Sequence, residues 1–255
     1  MLKEERHRII LDILRNNSVI SNSEIMERTS VTEMTIRRDL KELENNGKLI
    51  RIHGGAKSSD NNPNTVANID NNHIIKRGLN TEQKKYVAKL VANQINDNDT
   101  VFLGSGTTLE LVYDYLNSRN VHIVTNSMLV FDKFKLDPNF DTILIGGVYR
   151  NVSASFHGTI TDIVAENFHV KKAFISANGI HNNSIFDAVA EEGLTQRIIF
   201  DNAAERYLAI DSSKFDTKDF YEFYTTEKID YIITDDKINQ SIMDQYSSLT
   251  KIIFK

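Results

Sequence analysis

The chain has 255 residues, of which 40% are hydrophobic, and a formal net charge of −5. This length is enough for one large domain or two modest domains with apolar cores. The chain contains no cysteine, which excludes a disulfide framework, a thiolate metal site and a cysteine nucleophile. No segment reaches the apolar length of a membrane span, and the charged start is unlike a signal peptide. We therefore expect a cytoplasmic protein that has no membrane partner.

The first 58 residues predict three helices followed by a β-ribbon. A helix near residues 3–16 offers apolar side chains to a core, and residues 21–29 predict a shorter helix with Ser21 and Glu24 as a capping box. A third helix follows Thr32, its expected N-cap, and ends at Gly47, which suits a left-handed stop. Because residues 30–32 link the second and third helices tightly, the pattern predicts a helix-turn-helix.

The third helix has one apolar face and one cationic face. At about 100° per residue, Ile36, Leu40 and Leu43 share a face and are expected to pack inward. The opposite face and its flanks would enter the major groove, where side chains reach base edges. The candidate DNA-reading residues on this helix are Thr35, Arg37, Arg38 and Lys41.

A basic wing is predicted directly after the third helix. Residues 48–52 alternate between two faces and end in a turn at 53–55, which is typical of a β-ribbon. Arg51 and His53 would contact phosphates there. Asp39 and Glu42 lie close to the helix cations, and either orient an arginine through a local ion pair or merely keep the helix soluble.

A solvated surface helix is the simpler interpretation of paired arginines. The order of cap, stop and wing favours DNA reading, and so does the charge distribution. Residues 1–58 hold 11 Lys and Arg against 9 Asp and Glu, whereas the remainder holds 19 against 26. A local basic footprint is expected when a small DNA reader is joined to an acidic domain.

The domain organisation follows from composition. Residues 60–72 are polar, contain Pro63 and lack periodicity, so they predict a linker. We predict a winged helix-turn-helix DNA-binding domain at 1–58, a linker at 59–74 and a sensor domain at 75–255.

The second domain alternates helical stretches with short apolar runs, at residues 100–103, 121–124, 142–145, 173–176, 207–210 and 231–234. This pattern predicts an α/β fold with a mostly parallel sheet covered by helices. Ligands of such sheets bind outside the carboxyl ends of the strands, so the turns that follow the runs are the candidate site.

The first of these turns, residues 104–108, is built from small residues that let backbone N–H groups converge on an anion. It lacks the endings of the nucleotide P-loop and of the dinucleotide fingerprint. A compact phosphate, such as that of a sugar phosphate, fits better, and an ordinary tight turn is the alternative.

The later turns supply charge partners for a phosphate and acceptors for sugar hydroxyls. Each of these residues also has a simpler interpretation as a surface or helix-start residue. The candidate ligand-binding residues are Ser105, Gly106, Thr107, Thr108, Asn126, Gly147, Arg150, Asn178, Glu192 and Lys214. The seven histidines show no metal-ligand spacing, so we expect no metal site and no cofactor.

These motifs resemble the DeoR family of bacterial transcriptional regulators, in TIRRDL at 35–40 and HGGA at 53–56. Four further motifs resemble that family's sensor domain, namely SGTT at 105–108, VTNS at 124–127, IGG at 145–147 with Arg150, and DSSKF at 211–215. The resemblance implies a repressor that binds a double-stranded DNA operator of a sugar-catabolic operon and responds to a phosphorylated sugar. It also implies a sensor fold similar to ribose-5-phosphate isomerase, in which residues 105–108 hold phosphate while Glu192 and Lys214 line the pocket.

Residues 104–111 and 192–197 are most similar to the branch of the family that represses lactose phosphotransferase operons in response to tagatose 6-phosphate. A regulator that responds to another sugar, such as fructose 1-phosphate, is the alternative. A sugar-phosphate isomerase is the alternative from another class. Such an enzyme needs a general base, and residues 176–179 contain no carboxylate that could supply one. We therefore predict no catalytic residue.

A homodimer or tetramer is expected, because paired half-sites match two-fold symmetry.

Overall fold

The computed structural model describes residues 2–17, 19–29, 31–52, 54–58 and 73–255. The chain divides into two compact units, at residues 1–79 and 80–255. The predicted linker at 59–74 lies mostly outside the described residues, as do Ser30 and His53. Residues 75–79, which the sequence places in the sensor domain, group with the first unit, since helix α4 (His73–Gly78) packs on strand β1 (Val19–Ser21).

The first unit is a winged helix-turn-helix, as predicted. Besides β1 and α4 it contains α1 (Lys3–Asn17), α2 (Asn22–Thr29), α3 (Glu33–Asn45), β2 (Leu49–Ile52) and β3 (Gly55–Ser58). The strands form an antiparallel sheet in the order β1-β3-β2. Strand β1 was not predicted, because three residues are too few to show an alternating pattern.

The ends of α2 and α3 carry the predicted capping and stop residues, with one difference in hydrogen bonding. Ser21 Oγ accepts a hydrogen bond from Glu24 N at 3.2 Å, which is half of the predicted capping box. Gly47 follows α3 with φ of +66°. Thr32 occupies the N-cap position of α3, but its hydroxyl lies 3.1 Å from the hydroxyl of Thr35 and makes no capping bond to the backbone.

The apolar face of α3 is buried as predicted, since Ile36, Leu40 and Leu43 are at most 4% exposed. A second contact fixes this helix to α1. Arg6 Nε donates to Asp39 Oδ2 at 2.6 Å and Arg6 Nη2 donates to Asp39 Oδ1 at 3.1 Å. A two-bonded arginine–carboxylate pair fixes orientation as well as distance, so α3 is held in one rotational setting about its axis.

The second unit is an α/β domain. Its sheet strands are β4 (Thr100–Leu103), β5 (Val121–Thr125), β6 (Phe140–Leu144), β9 (Val170–Ile175), β12 (Ala203–Ala209), β14 (Tyr231–Ile233) and β15 (Lys251–Ile253). Smaller strands are β7 (Val148–Arg150), β8 (Ser155–His157), β10 (Gly179–His181), β11 (Ser184–Asp187) and β13 (Tyr221–Thr225). The helices are α5 (Thr81–Ala92), α6 (Met128–Phe134), α7 (Thr159–Ala165), α8 (Ala190–Asp201) and α9 (Gln240–Ser247), with 3-10 helices at Leu109–Tyr115, Ser212–Lys214 and Thr226–Lys228.

All six predicted apolar runs lie in or overlap the seven-stranded sheet, whose order is β15-β14-β12-β9-β4-β5-β6 and whose pairings are all parallel. The predicted α/β fold class is therefore confirmed, with β15 as an additional edge strand. After β4 the chain moves outward to β5 and β6, and it then returns to β9 on the other side of β4. The strand order thus reverses between β4 and β9, and ligands of open α/β sheets bind at such a reversal.

Asp99 joins the starts of these two strands at the opposite edge of the sheet. Its side chain is 1% exposed and accepts hydrogen bonds from Lys171 Nζ at 2.6 Å and Lys172 Nζ at 2.8 Å, both at the beginning of β9. Burial alone would raise the pKa of Asp99, but the bonds from the two lysines and from Asn96 N outweigh it and lower the pKa to about 2.

Asp99→Asn is expected to lower the free energy of unfolding at pH 7 by about 2 kcal/mol, because a pKa lowered from 3.8 to about 2 stabilises the folded state by that amount. A lowered carboxyl pKa contributes above pH 4 and is lost as pH falls toward 2, so the difference should shrink at pH 3. Urea unfolding of the full chain at pH 7, 5 and 3 measures it. The matched control is Asp141→Asn, whose carboxylate is 81% exposed and should contribute little. Equal losses for both variants would contradict the prediction.

Candidate functional site

The predicted DNA-reading face of α3 is exposed. Arg37, Arg38 and Lys41 are all exposed, whereas Thr35 is half-buried. Arg37 bonds Glu33 one turn earlier, at 2.8 Å from Nη2 and 3.1 Å from Nε. Within the described residues, Arg38 and Lys41 make no hydrogen bond or ion pair. The face therefore presents two cations whose donors remain available to a nucleic acid.

Asp39 and Glu42 do not pair with Arg38 or Lys41. Asp39 is 4% exposed and bonds Arg6 of α1, so it contributes to the packing of the unit and not to the reading face. Glu42 pairs with Lys3 of α1 at 2.5 Å in an exposed position. Neither of the two open interpretations of Asp39 therefore holds, because its position three residues after Ile36 turns it toward α1.

The wing is attached to α3 through Glu44. Arg51 N donates to Glu44 Oε1 at 2.9 Å, and Arg51 Nη1 lies 3.8 Å from Glu44 Oε2. Arg51 is exposed on β2, which is compatible with a phosphate contact. The predicted wing residue His53 lies outside the described residues.

In the second unit, parallel pairing brings the predicted turns to one edge of the sheet. In spatial order, the turns after β12, β9, β4, β5 and β6 carry Lys214, Asn178, residues 105–108, Asn126 and Gly147. The carboxyl ends of parallel strands share one edge, so these residues lie along a single rim whose centre is the reversal between β4 and β9.

The turn at residues 104–108 presents backbone donors at the centre of this rim. In the part of the chain that the structure describes, the N–H groups of Ser105, Gly106, Thr107 and Thr108 donate no hydrogen bond. Gly106 has φ of +142°, and a Cβ there would lie 3.1 Å from Ser176 Cβ. A bulkier residue would therefore be strained and crowded against the end of β9. Successive free N–H groups in such a turn form a concavity that suits an anion.

Asn126 contacts the hairpin of β7 and β8, and Arg150 and Glu192 form a polar network at the same hairpin. Asn126 Nδ2 donates to Phe156 O of β8 at 3.0 Å. Ser153 Oγ donates to Glu192 Oε1 at 2.6 Å, and Arg150 Nε lies 3.6 Å from the same oxygen. Three predicted ligand residues from different segments therefore meet around the hairpin of β7 and β8.

Two further side chains complete this network. His157 Nε2 lies 3.4 Å from Glu192 Oε1 and 2.7 Å from Ser155 Oγ, which in turn donates to Ser153 Oγ at 2.9 Å. Ser155, His157 and Glu192 are each at most 5% exposed. Sequence reasoning missed Ser153, Ser155 and His157. Ser155 and His157 lie two residues apart on one face of β8, and that spacing is the signal that could have identified them. Ser153 lies in the turn before the strand, where no such pattern applies.

A second network holds Asn178. Its Nδ2 donates to Asp219 Oδ2 at 2.9 Å and to Asp187 Oδ1 at 3.4 Å. Asp187 Oδ2 accepts a hydrogen bond from Gln196 Nε2 at 3.0 Å. Gln196 lies one turn after Glu192 on α8, so this helix connects the two networks.

Lys214 and Gly147 lie at the two ends of the rim. Lys214 is half-buried in the 3-10 helix after β12, beside the buried Asp211. Gly147 makes a close approach to α7, because a Cβ there would lie 2.0 Å from Thr161 Oγ1. The structure therefore places Gly147 in close packing, whereas Lys214 ends the 3-10 helix that follows β12.

Among the described residues, no group of three His, Asp or Glu side chains is placed to hold a metal ion. The helices within the same residues include none that is long and apolar enough to cross a membrane.

Comparison with known proteins agrees with both units. Residues 6–62 match the DeoR-like helix-turn-helix domain, and residues 79–236 match the DeoR C terminal sensor domain. The lactose phosphotransferase system repressor of Streptococcus mutans is 38% identical over 99% of this chain and 100% of its own length. The repressors of the same name from Lactococcus lactis and Staphylococcus aureus are 37% and 33% identical, over 99% and 92% of this chain and 99% and 93% of their own.

The chain therefore belongs to the DeoR family. Like these relatives it is a DNA-binding transcriptional repressor with a sensor domain, and it is not an enzyme.

Solved structures give more distant matches. Ribose 5-phosphate isomerase A from Methanocaldococcus jannaschii is 19% identical, with a TM-score of 0.39 over 53% of this chain and 55% of that one. The eIF2B beta structure from Chaetomium thermophilum is 12% identical, with a TM-score of 0.43 over 67% of this chain and 54% of that one. At these scores nothing further follows from the likeness.

Arg38→Ala is expected to weaken binding to a duplex carrying the operator by roughly 10-fold or more, because the variant loses an exposed guanidinium that we expect to reach base edges. Fluorescence anisotropy of the full chain at fixed salt measures the affinity. Arg119→Ala is the matched control, since that exposed arginine belongs to the second unit. Equal weakening in both variants would mean that net charge, and not the position on α3, is responsible.

Proposed function

We propose that this repressor controls a sugar-catabolic operon and is released from its operator by a phosphorylated sugar. The observation that carries the proposal is the run of four free N–H groups at residues 105–108, beside buried networks of carboxylate, amide and hydroxyl groups. The first feature suits a phosphate and the second suits the hydroxyls of a sugar. Operator DNA lies in the cytoplasm of a bacterium, so the protein would act there.

On the DNA side, Arg38 and Lys41 would read base edges from the exposed face of α3, with Thr35 and Arg37 on its flanks. Arg51 of the wing would contact a phosphate, and the same role is proposed for His53. The fixed setting of α3 against α1 supports this assignment, because readout requires a helix that enters the groove at a defined angle.

On the phosphate side, Ser105, Gly106, Thr107 and Thr108 would surround the anion with backbone donors. Lys214 would add a positive charge from the turn after β12, two strands away from β4. A charge-assisted bond from an ammonium group to a phosphate oxygen is stronger than one between neutral groups. This combination would give a half-buried lysine at this edge a role in binding the anion.

On the sugar side, Glu192 and Asn178 would meet hydroxyl groups, with Asn126 and Arg150 holding the hairpin against α8. Gly147 would act only through packing. Glu192 already accepts a bond from Ser153, and a carboxylate has further acceptor positions. An acceptor that is held in place by neighbouring residues is suited to select one arrangement of hydroxyls.

The names of the relatives support a lactose phosphotransferase operon as the target. For such an operon we propose tagatose 6-phosphate as the effector, as the family resemblance implies. Fructose 1-phosphate is the alternative, because the same phosphate loop and hydroxyl acceptors would suit it. A thermal-shift titration of the full chain with each sugar phosphate decides between the two. The preferred ligand should raise the melting temperature at the lower concentration, since stabilisation depends on the ratio of concentration to Kd.

Release from the operator would follow from a shift between two conformations. One conformation of a dimer or tetramer sets two reading helices at the spacing of paired half-sites, and the effector binds the other conformation better. A coupling of about 1–3 kcal/mol would change operator affinity roughly 5- to 150-fold.

Lys214→Ala is expected to keep operator binding and to need at least about 10-fold more tagatose 6-phosphate for release, because the phosphate loses a charge partner. Operator release in an anisotropy titration is the measurement. Lys89→Ala, an exposed lysine of α5, is the matched control and should behave like the unaltered protein. Normal release in the Lys214 variant would remove Lys214 from the effector site.

A further inference from the structure

Among the residues that the structure describes, Gln196 near the proposed effector site carries a buried polar atom with no protein partner. Gln196 is 6% exposed, and its Nε2 donates to Asp187 Oδ2 at 3.0 Å. Within the described residues, Gln196 Oε1 is buried and accepts no hydrogen bond. A buried amide oxygen without a donor costs free energy, so such an atom requires an explanation.

The orientation of this amide is fixed by its neighbour. If the amide were turned over, Gln196 Oε1 would face the carboxylate of Asp187, which offers only acceptors when ionised. Asp187 is itself 5% exposed and is held by Ala188 N at 2.7 Å as well as by Asn178 Nδ2. Gln196 must therefore keep its N–H toward Asp187, and its oxygen remains an acceptor.

The position of Gln196 links this acceptor to the rim. Helix α8 leads directly into the start of β12, so α8 itself begins at the carboxyl edge of the sheet. Side chains on a helix lean toward its N-terminus, and Gln196 therefore lies over the turn that carries Glu192. Its bonded partner Asp187 also bonds Asn178, which belongs to the rim.

We infer that Gln196 Oε1 accepts a hydrogen bond from one hydroxyl group of a polyhydroxylated phosphate ester and thereby contributes to effector selectivity. Asp187 acts as a positioning residue that fixes the amide. The inference rests on the proposed function, and it adds a neutral acceptor on α8 to the charged groups already described. A site that supplies a buried acceptor penalises a ligand whose hydroxyl points elsewhere.

The test uses the full-length protein and the 6-phosphates of tagatose, fructose, sorbose and psicose, with inorganic phosphate as a further probe. D-Tagatose, D-psicose and L-sorbose each differ from D-fructose in the configuration at a single carbon atom, which is C4, C3 and C5 respectively. Titration calorimetry gives the Kd of each. In the unaltered protein, the best sugar phosphate should bind roughly 10-fold more tightly than the worst, as one lost hydrogen bond allows.

Gln196→Met removes the acceptor at similar volume. This variant should reduce the ratio between the largest and the smallest Kd among the sugar phosphates to about 3 or less, and it should leave the Kd of inorganic phosphate unchanged. Gln196→Glu is the matched control, because a carboxyl group that shares a proton with Asp187 still offers one acceptor oxygen. This variant should keep the ranking of the sugars.

An unchanged ranking in Gln196→Met would overturn the inference and indicate that a bound water satisfies the oxygen. If that variant does not fold, Asp187→Asn replaces it, since an amide at 187 permits Gln196 to turn over. The ranking should then weaken, and an unchanged ranking overturns the inference. If inorganic phosphate binds but no sugar discriminates, only this inference fails. If neither phosphate nor any sugar phosphate binds, the proposed function fails with it.

Discussion

The buried contact between Asp99 and the two lysines of β9 is the interaction on which the geometry of the proposed effector site depends. It fixes β9 beside β4 at the amino edge of the sheet, where Lys172 pairs with Val101. The chain leaves these two strands toward opposite sides, so their following turns separate at the carboxyl edge. Residues 104–108 and 176–178 follow β4 and β9 at that edge, so the junction at the amino edge fixes the two strands from which both turns extend.

The sheet was predictable because buried parallel strands appear in a sequence as continuous apolar runs. All six runs lie in or overlap strands of one sheet, and the carboxyl-edge location of their turns then follows from the parallel pairing. Strand β15 was not predicted, because three residues near the end of the chain do not show a pattern. The same limit applies to β1, β7 and β8, which acquire their strand conformation through pairing with a partner and not from their own composition.

The recognition helix was predictable to the level of individual residues. Its periodicity identifies Ile36, Leu40 and Leu43 as buried and leaves the cations outside, because helix geometry alone decides which residues share a face. Asp39 shows where this reasoning stops. Its partner Arg6 lies 33 residues earlier, and no local pattern reveals which helix an acidic side chain faces.

The candidate effector site was predictable only in part. Turn composition predicts residues 105–108 and Lys214 as ligand residues, and the parallel pairing places their turns along one edge of the sheet. The contacts of Glu192 depend on a hairpin 39 positions earlier, and the role of Ser153 was therefore invisible in the sequence. The role inferred for Gln196 rests on an acceptor without a partner among the described residues, and such a feature is visible only in a folded structure.

The exposed side of α3 has a consequence for the evolution of DNA specificity in this family. Folding of the unit relies on the inward residues and on the bond between Arg6 and Asp39, whereas Met34, Arg38 and Lys41 contribute little to it. After gene duplication, mutations at these outward positions would therefore change which promoters are recognised while the fold survives. Copies of one ancestral regulator could in this way acquire separate target genes and still inherit the same metabolite sensor.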